Sequence, residues 1–383
     1  MKIVVAPDSF KESLSAPHAA KAIIDGFSQI YPDADYHALP LADGGEGTVA
    51  ALVTASGGKV VRCLVHGARM TDVDSFFGML SDGKTAVIEV AAACGLEQLA
   101  SALRNPRLTT SFGVGELILA ALDQGAEHLL VGLGGTASND AGAGMLQALG
   151  AHLLDGNGKE LAPGGAALSQ LARIDLSNLD PRLQSLDIEV AFDVSNQLCG
   201  PNGASFVFGA QKGADSQGII ELDSALNHFA RRCQEQLDVD LLNIEGGGAA
   251  GGLGAAFSGL LGAKLRPGVD LLMDALGIDE MLQGADLVIT GEGRLDGQSA
   301  SGKTPVGVAK RAGQFGVPVV AIGGSLGSDY QTLYACGIDV ILSCINRIDT
   351  LPAILATAEQ DLTEAARNVA ALWQIAHRHQ ESS

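Results

Sequence analysis

The chain has 383 residues, 47% of them hydrophobic, and carries a formal net charge of -20 at pH 7. This length favours two domains with ample apolar material for their cores. An acidic chain whose longest basic run is Arg231-Arg232 is unsuited to nucleic acid or an anionic membrane surface, and no apolar run reaches the ~18 residues of a membrane helix.

The first third of the chain alternates between predicted strands and helices and then changes character. Lys2–Pro7 is predicted as a buried strand, and Ser15 is placed to cap a helix with Pro17 in its first turn. In residues 60–90, short apolar runs are separated by polar turns such as residues 81–84. That pattern predicts antiparallel pairing.

The rest of the chain returns to alternating strands and helices. Helices are predicted at 114–123, 142–149 and 362–379, and strands at 128–132, 188–192, 287–290, 317–322 and 339–342. Short, continuous, β-branched strands near both chain ends are typical of a parallel sheet that is buried on both faces.

These elements predict an α/β fold with two α/β domains. A parallel-sheet, Rossmann/flavodoxin-like domain is expected from residues 1–66 plus 284–383, with a second mixed-sheet α/β domain, residues 67–283, inserted between them. Ligands in such folds bind beyond the carboxyl ends of strands and at domain interfaces. We therefore expect the active site in the cleft between the domains, built from loops 8–11, 43–48, 134–140 and 291–303.

Residues 297–304, GQSASGKT, match the P-loop pattern for binding phosphates. A P-loop follows its strand directly, whereas the six residues 291–296, which begin with a Gly-Glu-Gly turn, separate the predicted strand from this motif. Pro305 also favours a helix that begins there. We expect a different loop that still uses Lys303 on an anion, and a genuine P-loop is the alternative.

A second motif, GLGGTA at 132–137, matches a dinucleotide-binding fingerprint, and Asp155 lies where a ribose-binding acid would be expected. However, Asp140 would place a carboxylate at the helix N-terminus, where it would repel a pyrophosphate. A plain glycine turn, or a loop for another anion or a metal, is the alternative interpretation.

Several motifs run in a family order over essentially the whole chain. They are APDSFKESLSA (6–16), PLADGGEGT (40–48), GLGGTASNDAGAGMLQALG (132–150), FDVSNQLCGPNGAS (192–205), VFGAQKGA (207–214), AAGGLGAA (249–256) and LVITGEGRLDGQSASGKTPVGVA (287–309). Together they resemble the bacterial type I glycerate kinases. The chain departs from the family pattern at residues 136–138, 141, 192, 197 and 210 but keeps its charged residues.

The resemblance implies ATP- and Mg²⁺-dependent phosphorylation of D-glycerate, usually at the 2-hydroxyl, in a two-domain fold unrelated to P-loop kinases. Phosphorylation at the 3-hydroxyl, an NAD-dependent hydroxy-acid dehydrogenase and a non-catalytic sugar-acid-binding protein are the alternatives. The six scattered cysteines include no CxxC pair, and with no signal segment they favour a cytoplasmic protein. The expected partners are ATP and glycerate, with no nucleic acid and no membrane, and the protein is a possible homo-oligomer.

Phosphoryl transfer requires positioning, charge neutralisation and an acceptor for the proton of the attacking hydroxyl. We expect catalytic roles for Asp193 as the base, and for Lys11, Arg294 and Asp296. The expected metal ligands are Asp43, Glu46 and Glu292, because Mg²⁺ prefers carboxylate oxygens. Substrate or phosphate contacts are expected from Asp8, Ser9, Gly134, Gly135, Thr136, Ser138, Asn139, Lys212, Gly291, Gly293 and Lys303. The acids also have structural alternatives as turn caps or partners of arginines, and the lysines as solvated surface groups.

Overall fold

A computed structural model describes residues 1–41 and 47–380, and within that part of the chain it has thirteen strands and thirteen α-helices, besides five short 3-10 helices. The strands are β1 Lys2–Pro7, β2 Asp35–Ala38, β3 Lys59–His66, β4 Asp72–Met79, β5 Thr85–Glu89, β6 His128–Gly132, β7 His152–Asp155, β8 Leu171–Asp175, β9 Asp187–Phe192, β10 Lys264–Pro267, β11 Leu287–Leu295, β12 Val319–Leu326 and β13 Val340–Ser343. The helices are α1 Ala16–Phe27, α2 Thr48–Ser56, α3 Ala91–Cys94, α4 Phe112–Asp123, α5 Ala143–Ala148, α6 Ala204–Phe208, α7 Ser216–Leu237, α8 Ala249–Leu261, α9 Gly268–Ala275, α10 Ile278–Leu282, α11 Thr304–Gln314, α12 Leu351–Ala356 and α13 Ala358–Gln380.

The chain divides into two compact units. The first unit comprises Met1–Asp43 and Val269–Ser383, and the second comprises Gly44–Gly268. Residues 44–66, which the sequence analysis places in the first domain, group with the second unit, where β3 pairs along its whole length with β4. Residues 269–283 group with the first unit, where Val269 and Leu272 are buried in its core.

The first unit contains a five-stranded, entirely parallel sheet in the order β13-β12-β11-β1-β2. Its central strands are buried on both faces. Val4 and Val288 pack in one apolar cluster, while Ile3 and Ile289 pack in another that also contains residues of α1 and α13. This double burial explains the continuous apolar sequence of these strands.

β11 is longer than the sequence predicts. The expected turn at Gly291-Glu292-Gly293 is wrong, because the strand continues to Leu295 and pairs with β12 up to Leu326. Gly291 fits this pairing closely, since a Cβ there would lie 2.1 Å from the carbonyl oxygen of Ile322. The glycines therefore serve strand packing at this point rather than a turn.

The second unit has a six-stranded mixed sheet in the order β10-β9-β6-β5-β4-β3. β3, β4 and β5 pair antiparallel, as predicted, and β5, β6, β9 and β10 are parallel. β7 and β8 form a separate antiparallel pair. The predicted fold class, a parallel-sheet unit built from both chain ends and a mixed-sheet α/β unit between them, is confirmed.

Within residues 1–41 and 47–380, no helix combines the length and the apolarity that crossing a membrane requires. All six cysteines are free thiols.

Candidate active site

In the first unit, several predicted site residues lie where β1 and β11 run side by side. Pro7 is in register with Gly291, and the backbone N–H of Asp8 donates to the carbonyl of Gly291 at 2.8 Å. A Cβ on Gly293 would lie 3.2 Å from the backbone nitrogen of Lys11. The loop that contains Asp8, Ser9 and Lys11 therefore lies directly beside the Gly-Glu-Gly segment.

Glu292 is the buried acid of this cluster, with 8% of its surface exposed. The hydroxyl of Ser299 donates to its Oε1 at 2.6 Å, and Nζ of Lys303 lies 3.9 Å from its Oε2. Burial is the largest effect on the pKa of Glu292 and raises it above its ordinary value. The hydrogen bond from Ser299 and the charge of Lys303 lower this pKa, while the negative charges of Asp8 and Asp296 raise it further. The carboxylates of Asp8 and Asp296 are thus close enough to influence that of Glu292.

Arg294 and Asp296 form an ion pair at the end of β11. Nε of Arg294 lies 3.0 Å from Oδ2 of Asp296, and the arginine side chain is 68% exposed. Oδ1 of Asp296 accepts from the backbone N–H of Gln298 at 3.0 Å. Asp296 is therefore oriented on both oxygens, while the exposed guanidinium has donors left for an anion.

The sequence argument against a P-loop is only partly correct. The gap of six residues does not exist, because β11 reaches Leu295, and α11 begins at Thr304, one residue before Pro305. A better reason lies in the loop itself. The N–H of Ser299 donates to the carbonyl of Asp296, and the N–H of Gly302 donates to the carbonyl of Ser299. The N–H of Gln298 donates to the Asp296 carboxylate. These three N–H groups therefore cannot also bind a phosphate, as those of a P-loop do.

In the second unit, the loop after β6 is tightly anchored. Gly135 has φ +63° and its carbonyl accepts from the N–H of Leu96 at 2.6 Å. The hydroxyl of Thr136 lies 2.9 Å from that of Ser138 and 3.1 Å from the thiol of Cys94. Gly134 and Gly135 are the more accessible part of this loop, and residues 136–140 are buried.

Asn139 and Asp140 complete the loop. The Asn139 side chain donates to the hydroxyl of Ser205 at 2.9 Å, and its Oδ1 is buried without a hydrogen-bond partner. The Asp140 carboxylate accepts from the N–H and the hydroxyl of Ser111 at 2.8 and 3.0 Å, and from the N–H of Gly144 in α5 at 3.3 Å.

This geometry argues against the dinucleotide interpretation of GLGGTA. The Asp140 carboxylate occupies the N-terminus of α5, where a pyrophosphate would have to bind. Asp155 ends β7, and β7 pairs with β8 in a two-stranded sheet apart from β6. It is therefore not in the neighbouring strand that carries a ribose-binding acid.

Lys212 is buried, with 3% of its surface exposed, and its ammonium donates to the carbonyl of Ser138 at 2.7 Å. Burial lowers the pKa of Lys212 to about 8, while the nearby Cys94 and Asp140 act in the opposite direction and raise it. The sequence predicts a contact from Lys212 to substrate or phosphate. In the structure its ammonium lies against the loop backbone.

Asp193 follows β9 directly, as predicted, and its side chain is exposed. Asp43 and Glu46, two of the three expected metal ligands, lie outside the described residues. Among the residues that are described, no three His, Cys, Asp or Glu side chains are arranged to hold a metal ion.

Three residues that hold predicted site side chains in place were not predicted from the sequence. Ser299 binds Glu292, Thr304 binds Asp8 at 2.7 Å, and Ser205 binds Asn139. Thr304 and Ser299 stand inside the GQSASGKT motif, which could have indicated them. No local signal points to Ser205, because its partner is 66 residues away.

A parallel sheet whose strand ends carry charged side chains on glycine-rich segments is typical of α/β enzymes that act on small anionic ligands. The chain belongs to the glycerate kinase family, whose model matches residues 3–374. It is 50% identical to the glycerate kinase of Bacillus subtilis, covering 98% of both chains, and 49% identical to the glycerate 2-kinase of Escherichia coli, covering 99% of this chain and 100% of the other. The structure matches that of a protein from Salmonella typhimurium designated glycerate kinase 2, with a TM-score of 0.90, 51% identity and 99% coverage of both chains. The protein is therefore an enzyme, and that enzyme is a kinase.

Proposed function

We propose that this kinase transfers the γ-phosphoryl group of ATP to the 2-hydroxyl of D-glycerate, giving 2-phospho-D-glycerate and ADP. The observation that carries the proposal is the cluster at β1 and β11, where the buried carboxylate of Glu292, repelled by Asp8 and Asp296, lies close to Lys303, and Arg294 pairs with Asp296. Carboxylates suit a metal ion bound to the phosphates of ATP, and basic side chains suit the phosphates and an anionic acceptor. The similarity to the Escherichia coli protein named glycerate 2-kinase supports the choice of hydroxyl.

Mg²⁺ fits the chemistry of this cluster. Glu292 offers hard oxygen donors, and a divalent cation would relieve the repulsion that it experiences from Asp8 and Asp296. Mg²⁺ usually takes one or two carboxylates together with waters and phosphate oxygens, so it does not require a complete protein cage. We assign Glu292 the role of metal ligand, with Asp43 and Glu46 as the further candidates. When bound, the ion would neutralise charge on the transferring group.

Arg294 is suited to bind the carboxylate of glycerate, because its exposed guanidinium can form two parallel hydrogen bonds. Lys303 is suited to the phosphates, because its ammonium is half-exposed and only weakly paired with Glu292. In our proposal Ser9 and Lys11 add contacts from the loop after β1, as Gly291 and Gly293 do from β11.

The second unit supplies the proton acceptor in this proposal. Asp193 accepts the proton of the glycerate 2-hydroxyl while the hydroxyl oxygen forms a bond to the γ-phosphorus of ATP. At the same time the bond between the γ-phosphorus and the oxygen that bridges it to the β-phosphate breaks, and ADP leaves. The exposed position of Asp193 after β9 is compatible with contact to a substrate. Gly134, Gly135, Thr136, Ser138 and Asn139 are the proposed substrate-binding segment. We further propose that the enzyme is cytoplasmic.

The test is incubation with ATP, MgCl₂ and D-glycerate, followed by proton-coupled ³¹P NMR. Phosphate on the 2-oxygen couples to one proton and gives a doublet, whereas phosphate on the 3-oxygen couples to two and gives a triplet. We expect a doublet, and no product when EDTA replaces MgCl₂. A triplet would overturn the proposed regiochemistry, and the absence of any phosphoglycerate would overturn the proposed reaction.

A further inference from the structure

Lys212 is a buried cation that forms no ion pair with any described carboxylate. Among the described residues, no Asp or Glu oxygen lies within ion-pair distance of its ammonium, and the one hydrogen bond that the ammonium makes is to the carbonyl of Ser138. Taking a charge out of water is costly unless it is well compensated. A neutral side chain of similar size would fill the same space at lower cost, so stability alone does not explain the lysine.

The Ser138 carbonyl is held from two sides. Lys212 reaches it across 74 residues of sequence, and Gly251 packs so closely that a Cβ there would lie 2.2 Å from the same oxygen. Gly251 has φ +70°, within a left-handed break in α8 that also includes Ala250 at φ +52°. Ala250 is a non-glycine residue in this strained region, which is found where the surrounding structure over-determines the backbone.

Asn139, the next residue, is equally confined. A Cβ on Gly165 would lie 2.2 Å from its carbonyl oxygen, and its side chain is fixed by Ser205 at one amide atom. The other amide atom is buried without a partner. An unpaired buried polar atom is costly, and in native proteins it often marks a functional group or a missing ligand.

From these contacts we infer that Lys212 is a positioning residue, whose ammonium fixes the Ser138 carbonyl and thereby orients the Ser138–Asn139 segment for phosphoryl transfer, without touching either substrate. The inference rests on the proposed function, because it assigns that segment to substrate binding. The burial of Lys212 separates this role from that of Lys303, whose ammonium is accessible.

The main test compares Lys212→Met with Lys159→Met, a change at an exposed lysine of the same unit. We expect Lys212→Met to lower kcat by ~10²-fold while changing KM for ATP and for glycerate by less than ~3-fold. Its urea midpoint should be equal to or above that of the wild type, because a buried charge is removed. Lys159→Met should behave as the wild type.

The pH profile gives a second readout that does not depend on a variant folding. Cys94 and Asp140 are the titratable groups that face Lys212, and burial raises the pKa of the Cys94 thiol to about 11, well above that of the lysine. The wild-type kcat should therefore fall as the pH rises through about 8, where the Lys212 ammonium loses its proton. Lys212→Met should lack this alkaline limb.

The outcomes are distinguishable. A rise in KM for ATP with kcat unchanged would make Lys212 a direct phosphate ligand, and a parallel loss of activity and stability would make it a structural residue; either overturns the inference. A wild-type kcat that stays flat to pH 9.5 also overturns it, even if Lys212→Met does not fold. If the wild type phosphorylates no glycerate, the proposed function itself fails.

Discussion

The hydroxyl of Thr304 donates a 2.7 Å hydrogen bond to Oδ2 of Asp8, which joins the first residue of α11 to the residue after β1. The other carboxylate oxygen of Asp8 accepts from the backbone N–H of Ser9 at 2.6 Å. Asp8 is thus oriented on both oxygens. Thr304 is completely buried, so the donor of this part-buried hydrogen bond is shielded from water.

Thr304→Val should reveal how much the orientation of Asp8 matters. The change keeps the shape of the side chain but removes the donor, which typically costs ~1 kcal/mol. We expect kcat/KM for ATP to fall by about 10-fold, with a small loss of stability. The control is Thr363→Val on α13, where an exposed hydroxyl bonds to the carbonyl of Glu359. Equal effects of the two changes on kcat/KM would contradict a role for Thr304 in orienting Asp8.

Lys303→Ala tests the proposed phosphate contact. Its side chain is 45% exposed and its ammonium lies 3.9 Å from Glu292, too far for a strong ion pair. We expect kcat/KM to fall by roughly 10²-fold, because a charge-assisted contact to phosphate is lost. The control is Lys310→Ala, a change at an exposed lysine of α11, which should leave steady-state kinetics unchanged.

Gly297→Ala provides the contrast for the P-loop pattern. A Cβ there would lie 2.2 Å from Oδ2 of Asp329, but Asp329 is an exposed side chain whose carboxylate can move aside. We therefore expect less than ~3-fold change in kcat/KM. Loss of ATP binding in both Gly297→Ala and Lys303→Ala, measured by calorimetry, would instead favour a genuine P-loop.

Glu292 should make stability depend on pH. Burial raises its pKa in the folded protein above the ordinary value of 4.5, so the folded state holds this proton more tightly than the unfolded chain does. Ionisation therefore opposes folding, and this cost appears as the pH rises through 4.5 towards the folded-state pKa. Glu292→Gln does not ionise and can still accept from Ser299. We therefore expect the stability of Glu292→Gln relative to the wild type, measured as the difference in the free energy of unfolding in urea, to be greater at pH 7.5 than at pH 4.5. The opposite trend would contradict the assigned effect of burial.

The sequence predicts those elements best whose boundaries are set locally. The strand expected at 188–192 is observed as Asp187–Phe192, because aspartates lie on both sides of a short run that is apolar except for Glu189. The strand expected at 287–290 was cut short, since Gly291 and Gly293 indicate a turn when only local sequence is considered. Its true end depends on pairing with β12, about thirty residues further along the chain.

In the candidate site, too, the features set by local sequence are predicted and those set by distant contacts are not. Local sequence correctly places Asp193 after its strand and a carboxylate of Asp140 at the start of a helix. It could not predict the burial of Lys212, because the carbonyl that the ammonium contacts is 74 residues away. Nor could it find Thr304 as the partner of Asp8, since those two residues are 296 positions apart. Side-chain environments created by distant segments are the part that required a structure.

The last prediction concerns Asp193 as the proposed base. Asp193→Asn keeps the size of the side chain but removes the basic oxygen, so kcat should fall by ~10²–10⁴-fold while binding of ATP and glycerate is largely kept. Asp187→Asn is the matched control, because Asp187 begins the same strand and makes a surface ion pair with Lys264. It should leave kcat unchanged.

A titration of Mg²⁺ separates the possible roles of Asp193. If Asp193 were a metal ligand, the lost charge would weaken Mg²⁺ affinity, and added Mg²⁺ would restore part of the rate. If it is the base, kcat should stay low at every Mg²⁺ concentration, because no ion replaces the missing proton acceptor. Near-normal kcat at ordinary Mg²⁺ would remove Asp193 from the mechanism. Asp296 would then become the preferred base, since its carboxylate is already oriented by Arg294 and Gln298.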